Sequence, residues 1–152
     1  MPSYHGRNLR TGRHMESGRP YLITTVTRDR RPLFADWRMG RLLVTELKTA
    51  TEKNYAETLA WVVMPDHLHW LMIPDTEPLD AVIRRIKSRS TIAVNRHMGT
   101  TGPMWQHGYH DHAVRKTEDI RAIARYLIAN PLRAGLIKHI GDYPLWDTRW
   151  LL

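Results

Sequence analysis

Cysteine is absent from the 152 residues. Disulfides, thiolate nucleophiles and cysteine-ligated zinc are therefore excluded together. No run approaches the roughly 20 consecutive apolar residues that a membrane-spanning helix requires. The opening Met1-Pro2-Ser3-Tyr4-His5-Gly6-Arg7 has no apolar stretch of the secretory kind, so a cytoplasmic protein is expected. Acids are scarce: 15 Asp and Glu stand against 23 Lys and Arg, a formal net charge of +8. Such an excess favours a polyanionic partner, most often nucleic acid. No helix joins a basic face to a large aromatic-apolar one, so a membrane surface is not an expected partner. The length suits one domain, residues 1–152, able to bury its own core.

The most informative segment is Met64-Pro65-Asp66-His67-Leu68-His69. Trp61-Val62-Val63 precedes it and Trp70-Leu71-Met72-Ile73 follows, two apolar runs rich in β-branched and aromatic residues. Pro65-Asp66 suits the centre of a tight turn, which predicts a hairpin over roughly 58–73. Asp66 either closes that turn or adds negative charge beside a site, and the turn is the favoured reading. Side chains alternate along a strand, so His67 and His69 share one face, with Leu68 and Trp70 on the other. Two imidazoles spaced about 7 Å along one strand can converge on a metal ion. His110 and His112 repeat the spacing and could be read as a second metal pair, but no third ligand is evident.

Residues 1–19 read as an irregular basic arm carrying Arg7, Arg10, Arg13 and Arg19. Tyr21–Thr27 reads as a strand. Helical periodicity runs from 37 to 53, with Leu43, Val44, Leu47 and Ala50 on one stripe. A second helix is expected over 79–96, its buried stripe formed by Leu79, Val82, Ile83, Ile86, Ser90, Ala93 and Val94. Arg85, Arg89 and Arg96 project from one flank of it with few acids interleaved. Residues 105–114 read as a short strand or strand-like loop.

A third helix is expected to begin at Thr117-Glu118-Asp119, a capping hydroxyl followed by two acids, and to end near Ala129 or Asn130, ahead of Pro131. Ile120, Ile123, Ala124, Leu127 and Ile128 form its apolar stripe. Tyr126 falls off that stripe, with Asn130 four residues on and on the same side, so phenol and amide can face one region. A phenol, whose ordinary pKa is about 10, is a weak nucleophile at neutral pH. It can attack a phosphodiester when a divalent cation polarises the phosphate. Two imidazoles and an amide oxygen suit Mg²⁺ or Mn²⁺, and also permit Zn²⁺.

Val63-Met64-Pro65-Asp66-His67-Leu68-His69-Trp70-Leu71 resembles the His-hydrophobe-His signature of single-tyrosine HUH transposases. More narrowly, it is similar to the REP-associated tyrosine transposases, linked in bacteria to repetitive extragenic palindromes. Tyr21-Leu22-Ile23-Thr24 matches the first strand of that branch, and Trp105-Gln106-His107-Gly108-Tyr109 its Trp-centred segment. Tyr126-Leu127-Ile128-Ala129-Asn130-Pro131-Leu132-Arg133-Ala134-Gly135-Leu136 matches its tyrosine helix and the turn beyond. Together these matches span roughly residues 20–137.

The resemblance implies an α+β fold: a single compact HUH (ferredoxin-like, RRM-like) domain with a central antiparallel sheet flanked by helices. It implies His67 and His69 as metal ligands, Asn130 as the third, and Tyr126 as the nucleophile. The implied cofactor is Mg²⁺ or Mn²⁺. The implied partner is single-stranded or hairpin DNA, cut through a 5′-phosphotyrosine link by a monomer at the bacterial nucleoid. Asp66 stands where family members often carry Asn or Glu. Longer relatives extend beyond the segment corresponding to Tyr143–Leu152, so contacts made by such a tail are not expected here.

Arg7, Arg10, Arg85 and Arg89 are candidates for phosphate contacts, which position DNA without reading its sequence. Trp70, Trp105 and Tyr109 are candidates for stacking unpaired bases. Two other functions compete: a DNA- or RNA-binding regulator that keeps the fold without the activity, and a phosphohydrolase that uses water as its nucleophile.

Overall fold

The computed structural model describes residues 3–5, 18–116 and 118–150. Ten elements carry the architecture: β1 (Ser3–His5), β2 (Tyr21–Val26), α1 (Trp37–Glu52), β3 (Ala56–Met64), β4 (His67–Pro74), α2 (Leu79–Met98), β5 (Tyr109–Ala113), α3 (Ile120–Ile128), the single-turn α4 (Asn130–Arg133) and β6 (Trp146–Thr148). The sheet order is β1-β5-β2-β4-β3-β6, and every neighbouring pair is antiparallel. From β2 to β5 the chain runs β-α-β-β-α-β, and its four strands lie in the order β5-β2-β4-β3. That is the ferredoxin-like split βαβ arrangement. The expected α+β fold is the observed one.

Strand parity divides the core into two. Ile23, Trp61, Val63, Leu68, Trp70 and Met72 face the layer formed by α1 and α2, against Leu43, Leu47, Val82, Ile83 and Ile86. Ala60, Val62, Met64 and Leu71 face the opposite side, where Ala124, Leu127 and Ile128 of α3 cover them. On β4 the alternation puts Leu68 and Trp70 with the first set, so His67 and His69 project toward the α3 side.

Local chemistry sets the helix ends. Asp36 caps α1 by accepting from the Arg38 backbone N–H at 3.0 Å. α2 stops at Gly99, whose φ of 68° is the left-handed conformation that glycine adopts at no steric cost. Asp119 caps α3, its Oδ1 accepting from the Arg121 and Ala122 backbone at 3.0 and 3.2 Å. Thr117, the expected cap, lies outside the described residues.

Four expectations need correction. The arm at 1–19 is not wholly irregular, since Ser3–His5 pairs with Tyr109–Asp111 of β5. Of the short strand or strand-like loop expected over 105–114, only Tyr109–Ala113 is strand, because Gly108 takes φ 78° and breaks the extended run; Trp105 keeps an isolated bridge to Thr27. On α2, Ala93 is only half-buried and does not join the stripe. A last strand, β6, pairs with β3 over Ala60–Val62 and was not expected.

The segment leading to β6 is anchored beforehand. Tyr143 donates its hydroxyl proton to the Val63 carbonyl, and the Val63 N–H donates to Leu145 at 2.9 Å. Leu145 itself lies over Gly40 of α1, where any added side chain would collide with it.

Trp70, wholly buried at the sheet centre, donates its indole N–H to Thr58 Oγ1 at 3.1 Å. Trp70→Ala should lower unfolding free energy by about 3–5 kcal/mol, the range for deleting a core aromatic. Urea unfolding checks this, with Trp70→Phe expected to lose clearly less.

Candidate active site

The site begins at the Pro65-Asp66 turn, which is bolted to the segment after β2. The Thr27 N–H donates to the Asp66 carbonyl and the Phe34 N–H to the Pro65 carbonyl, each at 2.9 Å. Thr27 Oγ1 adds bonds to the carbonyls of Asp66, at 3.1 Å, and Arg31, at 2.8 Å. Between those anchors Asp29 and Arg30 both take left-handed backbone angles, with φ of 57° and 51°. Such angles cost a residue with a side chain of order 1–3 kcal/mol, so they persist only where surrounding contacts impose them. They deliver the Arg30 guanidinium to Asp66 Oδ2 at 3.2 Å.

Asp66 does more than close the turn. Its Oδ1 accepts from His67 Nδ1 at 2.7 Å, which fixes the ring's orientation. Partial burial raises the Asp66 pKa, but hydrogen bonds and charge from His67 and Arg30 outweigh it and hold the carboxyl below its ordinary 3.8. His69 Nδ1 is hydrogen-bonded to Thr24 Oγ1 at 2.8 Å, across the β2–β4 pair. The two imidazoles meet edge to face, with centroids 4.7 Å apart and planes at 81°. Nδ1 of each is engaged by an orienting partner, which leaves Nε2 of each as the nitrogen that could coordinate a cation. Burial, then the neighbouring His67, then Arg133 push the His69 pKa down from 6.5 to about 3, so its ring is neutral at physiological pH. Imidazoles with one nitrogen oriented and the other open fit a divalent cation.

Among the described residues no cluster of three His, Cys, Asp or Glu converges, so a third ligand drawn from them would be of another type. Asn130 offers an amide oxygen at the start of α4, and that oxygen accepts from Arg133 Nη2 at 2.6 Å. The same guanidinium lies over the Tyr126 ring, 3.7 Å from its centroid. Tyr126 itself is 68% exposed, its side chain turned away from the apolar stripe of α3 as expected. Arg133 therefore joins tyrosine and asparagine by direct contact and reaches His69 by charge.

The other sequence-level candidates fall elsewhere. Arg85 donates to Glu77 at 3.3 Å and covers the Tyr55 ring at 4.2 Å, while Arg89 donates to Glu46 at 3.1 Å. Both stand on α2, on the opposite face of the sheet from the histidines. Trp70, Trp105 and Tyr109 are all buried in the α1–α2 core. Trp105 donates to Ser90 Oγ at 3.0 Å, and Tyr109 donates to Asp80. None of the three offers a ring face to solvent for stacking. Arg7 and Arg10 lie outside the described residues. His112 Nε2 is bonded to the Glu118 carboxylate at 3.1 Å, which ties it to the start of α3.

Sequence reasoning missed Thr24, Arg30 and Arg133. Thr24 becomes visible only through the β2–β4 register, and Arg30 only through its left-handed turn. Arg133 did carry a signal: it lies three residues beyond Asn130, across a Pro131 turn, where a one-turn helix brings it back over both partners.

The model of the family described as Transposase IS200 like matches residues 17–130. This chain belongs to that family of transposases. Over 134 residues it is 28% identical to the REP-associated tyrosine transposase of Escherichia coli strain K12, spanning 87% of this chain and 78% of that protein. It is also similar to a solved structure of a REP-associated tyrosine transposase bound to a REP hairpin. That likeness has a TM-score of 0.71 at 26% identity and covers 88% of this chain and 79% of the other.

The depressed pKa of His69 sets a pH dependence. Between pH 6.5 and about 3 the unfolded chain takes up a proton that the folded chain refuses, so stability falls as pH falls. The slope contributed is up to about 1.4 kcal/mol per pH unit, and the contribution is flat above pH 6.5. Asp66 adds its own loss only below its ordinary 3.8. Urea midpoints measured from about pH 6.5 down to about 4.5, above the ordinary carboxylate range, should fall less steeply for His69→Gln than for the wild type.

Proposed function

We propose that this chain cuts and rejoins single-stranded, hairpin-forming DNA of the REP type through a 5′-phosphotyrosine intermediate. Tyr126 is the nucleophile, His67 and His69 are cation ligands, and Asn130 is the third. The observation that carries this reading is the placement of both imidazoles on the sheet face covered by the helix that bears Tyr126. The REP hairpin held by the similar solved transposase supports the choice of DNA partner.

The phenolic oxygen of Tyr126 attacks the scissile phosphorus and loses its proton to solvent, since the ring is exposed. The phosphorus–O3′ bond breaks, and the departing oxygen takes up a proton to become a 3′-hydroxyl. The 5′ end stays on Tyr126 as a phosphodiester, so its bond energy is kept. A 3′-hydroxyl of a second strand can then attack that link, which restores the phenol and joins DNA without ATP. A bound Mg²⁺ or Mn²⁺ would polarise the phosphate and offset the charge developing on its oxygens. Asp66 and Thr24 hold the imidazoles in the orientation that binding requires. The tyrosine helix packs on its own chain's sheet, so one chain supplies both halves of the site, and a monomer suffices. Work on such DNA places the protein in the cytoplasm, at the nucleoid.

Covalent trapping on denaturing gels, with labelled REP-type hairpin oligonucleotides, tests the reading. A protein–DNA adduct should form with Mg²⁺ or Mn²⁺ and vanish with chelator. Tyr126→Phe should abolish it, and His67→Ala should reduce it at least 100-fold, on the order of the larger second-shell losses at metal sites. Cleavage with no adduct would mean water is the nucleophile, and tight binding with no cleavage would mean a regulator. Either result overturns the proposal.

A further inference from the structure

Arg133 touches both Tyr126 and Asn130, yet it is neither the nucleophile nor a cation ligand. Its Nη2 donates to the Asn130 amide oxygen at 2.6 Å, a short and charge-assisted bond. Its guanidinium plane lies 3.7 Å from the Tyr126 ring centroid. α4 sets this geometry, since one helical turn separates Asn130 from Arg133 and returns the longer side chain over both partners. The side chain sits at the exposed end of the helix, so it has room to move. Arginine keeps its charge at all accessible pH values and offers only donors.

We propose that Arg133 occupies the cation's place on Asn130 and gives it up when the cation arrives, its freed guanidinium then taking the scissile phosphate beside Tyr126. This rests on the reading of His67, His69 and Asn130 as the cation site. An amide oxygen held by a guanidinium cannot at the same time bind a divalent cation without setting two positive charges side by side. The cation wins that competition because two imidazoles help to hold it. Displaced from Asn130, the guanidinium still lies over the Tyr126 ring, where the reacting phosphate must come. A phosphate oxygen replaces the amide oxygen as its acceptor, and Arg suits this exchange because its planar fork matches phosphate. Cation and DNA therefore bind cooperatively: each favours the released position of Arg133.

The test uses Mn²⁺ as probe and the full chain without DNA, with binding followed by electron paramagnetic resonance. Arg133→Ala should bind Mn²⁺ more tightly than the wild type by about tenfold, the worth of one hydrogen bond to a charged group. In the Asn130→Ala background the same substitution should change the affinity little, because the contested oxygen is gone. Arg133→Lys, which keeps the charge without the fork, should fall between wild type and alanine. Adding hairpin DNA should tighten Mn²⁺ binding in the wild type and tighten it less in Arg133→Ala. The covalent adduct should form more slowly in Arg133→Ala despite its tighter cation. Equal or weaker Mn²⁺ binding by Arg133→Ala overturns the proposal, as does a gain that persists without Asn130. Mn²⁺ binding lost in His67→Ala but indifferent to Arg133 overturns the exchange and leaves the cation site standing. Binding that survives His67→Ala overturns both.

Discussion

Everything at this site depends on the two-residue period of β4. The strand lies between β2 and β3, hydrogen-bonded on both sides along its length, so its register cannot slip without breaking two ladders. A slip by one residue would send Leu68 and Trp70 toward α3 and the imidazoles into the core of α1 and α2. Leu68, Trp70 and Met72, all buried on that side, forbid it. The histidines are thus held in place by the apolar residues between them. The opposite parity on the same strand serves packing, and the two tasks share a backbone without interfering.

The surroundings of the histidine pair are built from three directions. Thr24 comes from the neighbouring strand, Asp66 from the hairpin turn, and Arg133 from beyond the tyrosine helix. The strained Asp29-Arg30 turn belongs to the same arrangement. It brings a cation to the outer oxygen of Asp66 while the inner oxygen holds His67. The carboxylate is thereby balanced between a fixed positive charge and a ring that must stay oriented. Rigid placement by such outer contacts is what a coordinating imidazole needs, since its free nitrogen points wherever the bound one allows.

The hairpin and the helices were legible because they are long and periodic. β4 shows its parity in one apolar run, and α3 shows its stripe in five residues. The tyrosine–asparagine pair followed from helical spacing alone. β1 and β6 were not legible, as three residues hold too little pattern to stand out from a loop. The neutral setting of Arg89 was hidden for a different reason: its acid, Glu46, lies 43 positions away on another helix. Counting acids along α2 therefore misjudged its surface. The stacking candidates failed in the same way, because an indole that reads as available in a line of residues is buried once the sheet is covered.

The burial that keeps His69 neutral has a consequence for how the site fills. Most coordinating side chains must shed a proton before a cation can sit, so their loading follows the acidity of the medium. At His69 that proton is already gone near neutrality, since its pKa lies at about 3. A cation held there would displace no proton from this ring. The sheet meets the cost of deprotonation once, at folding, rather than at each loading.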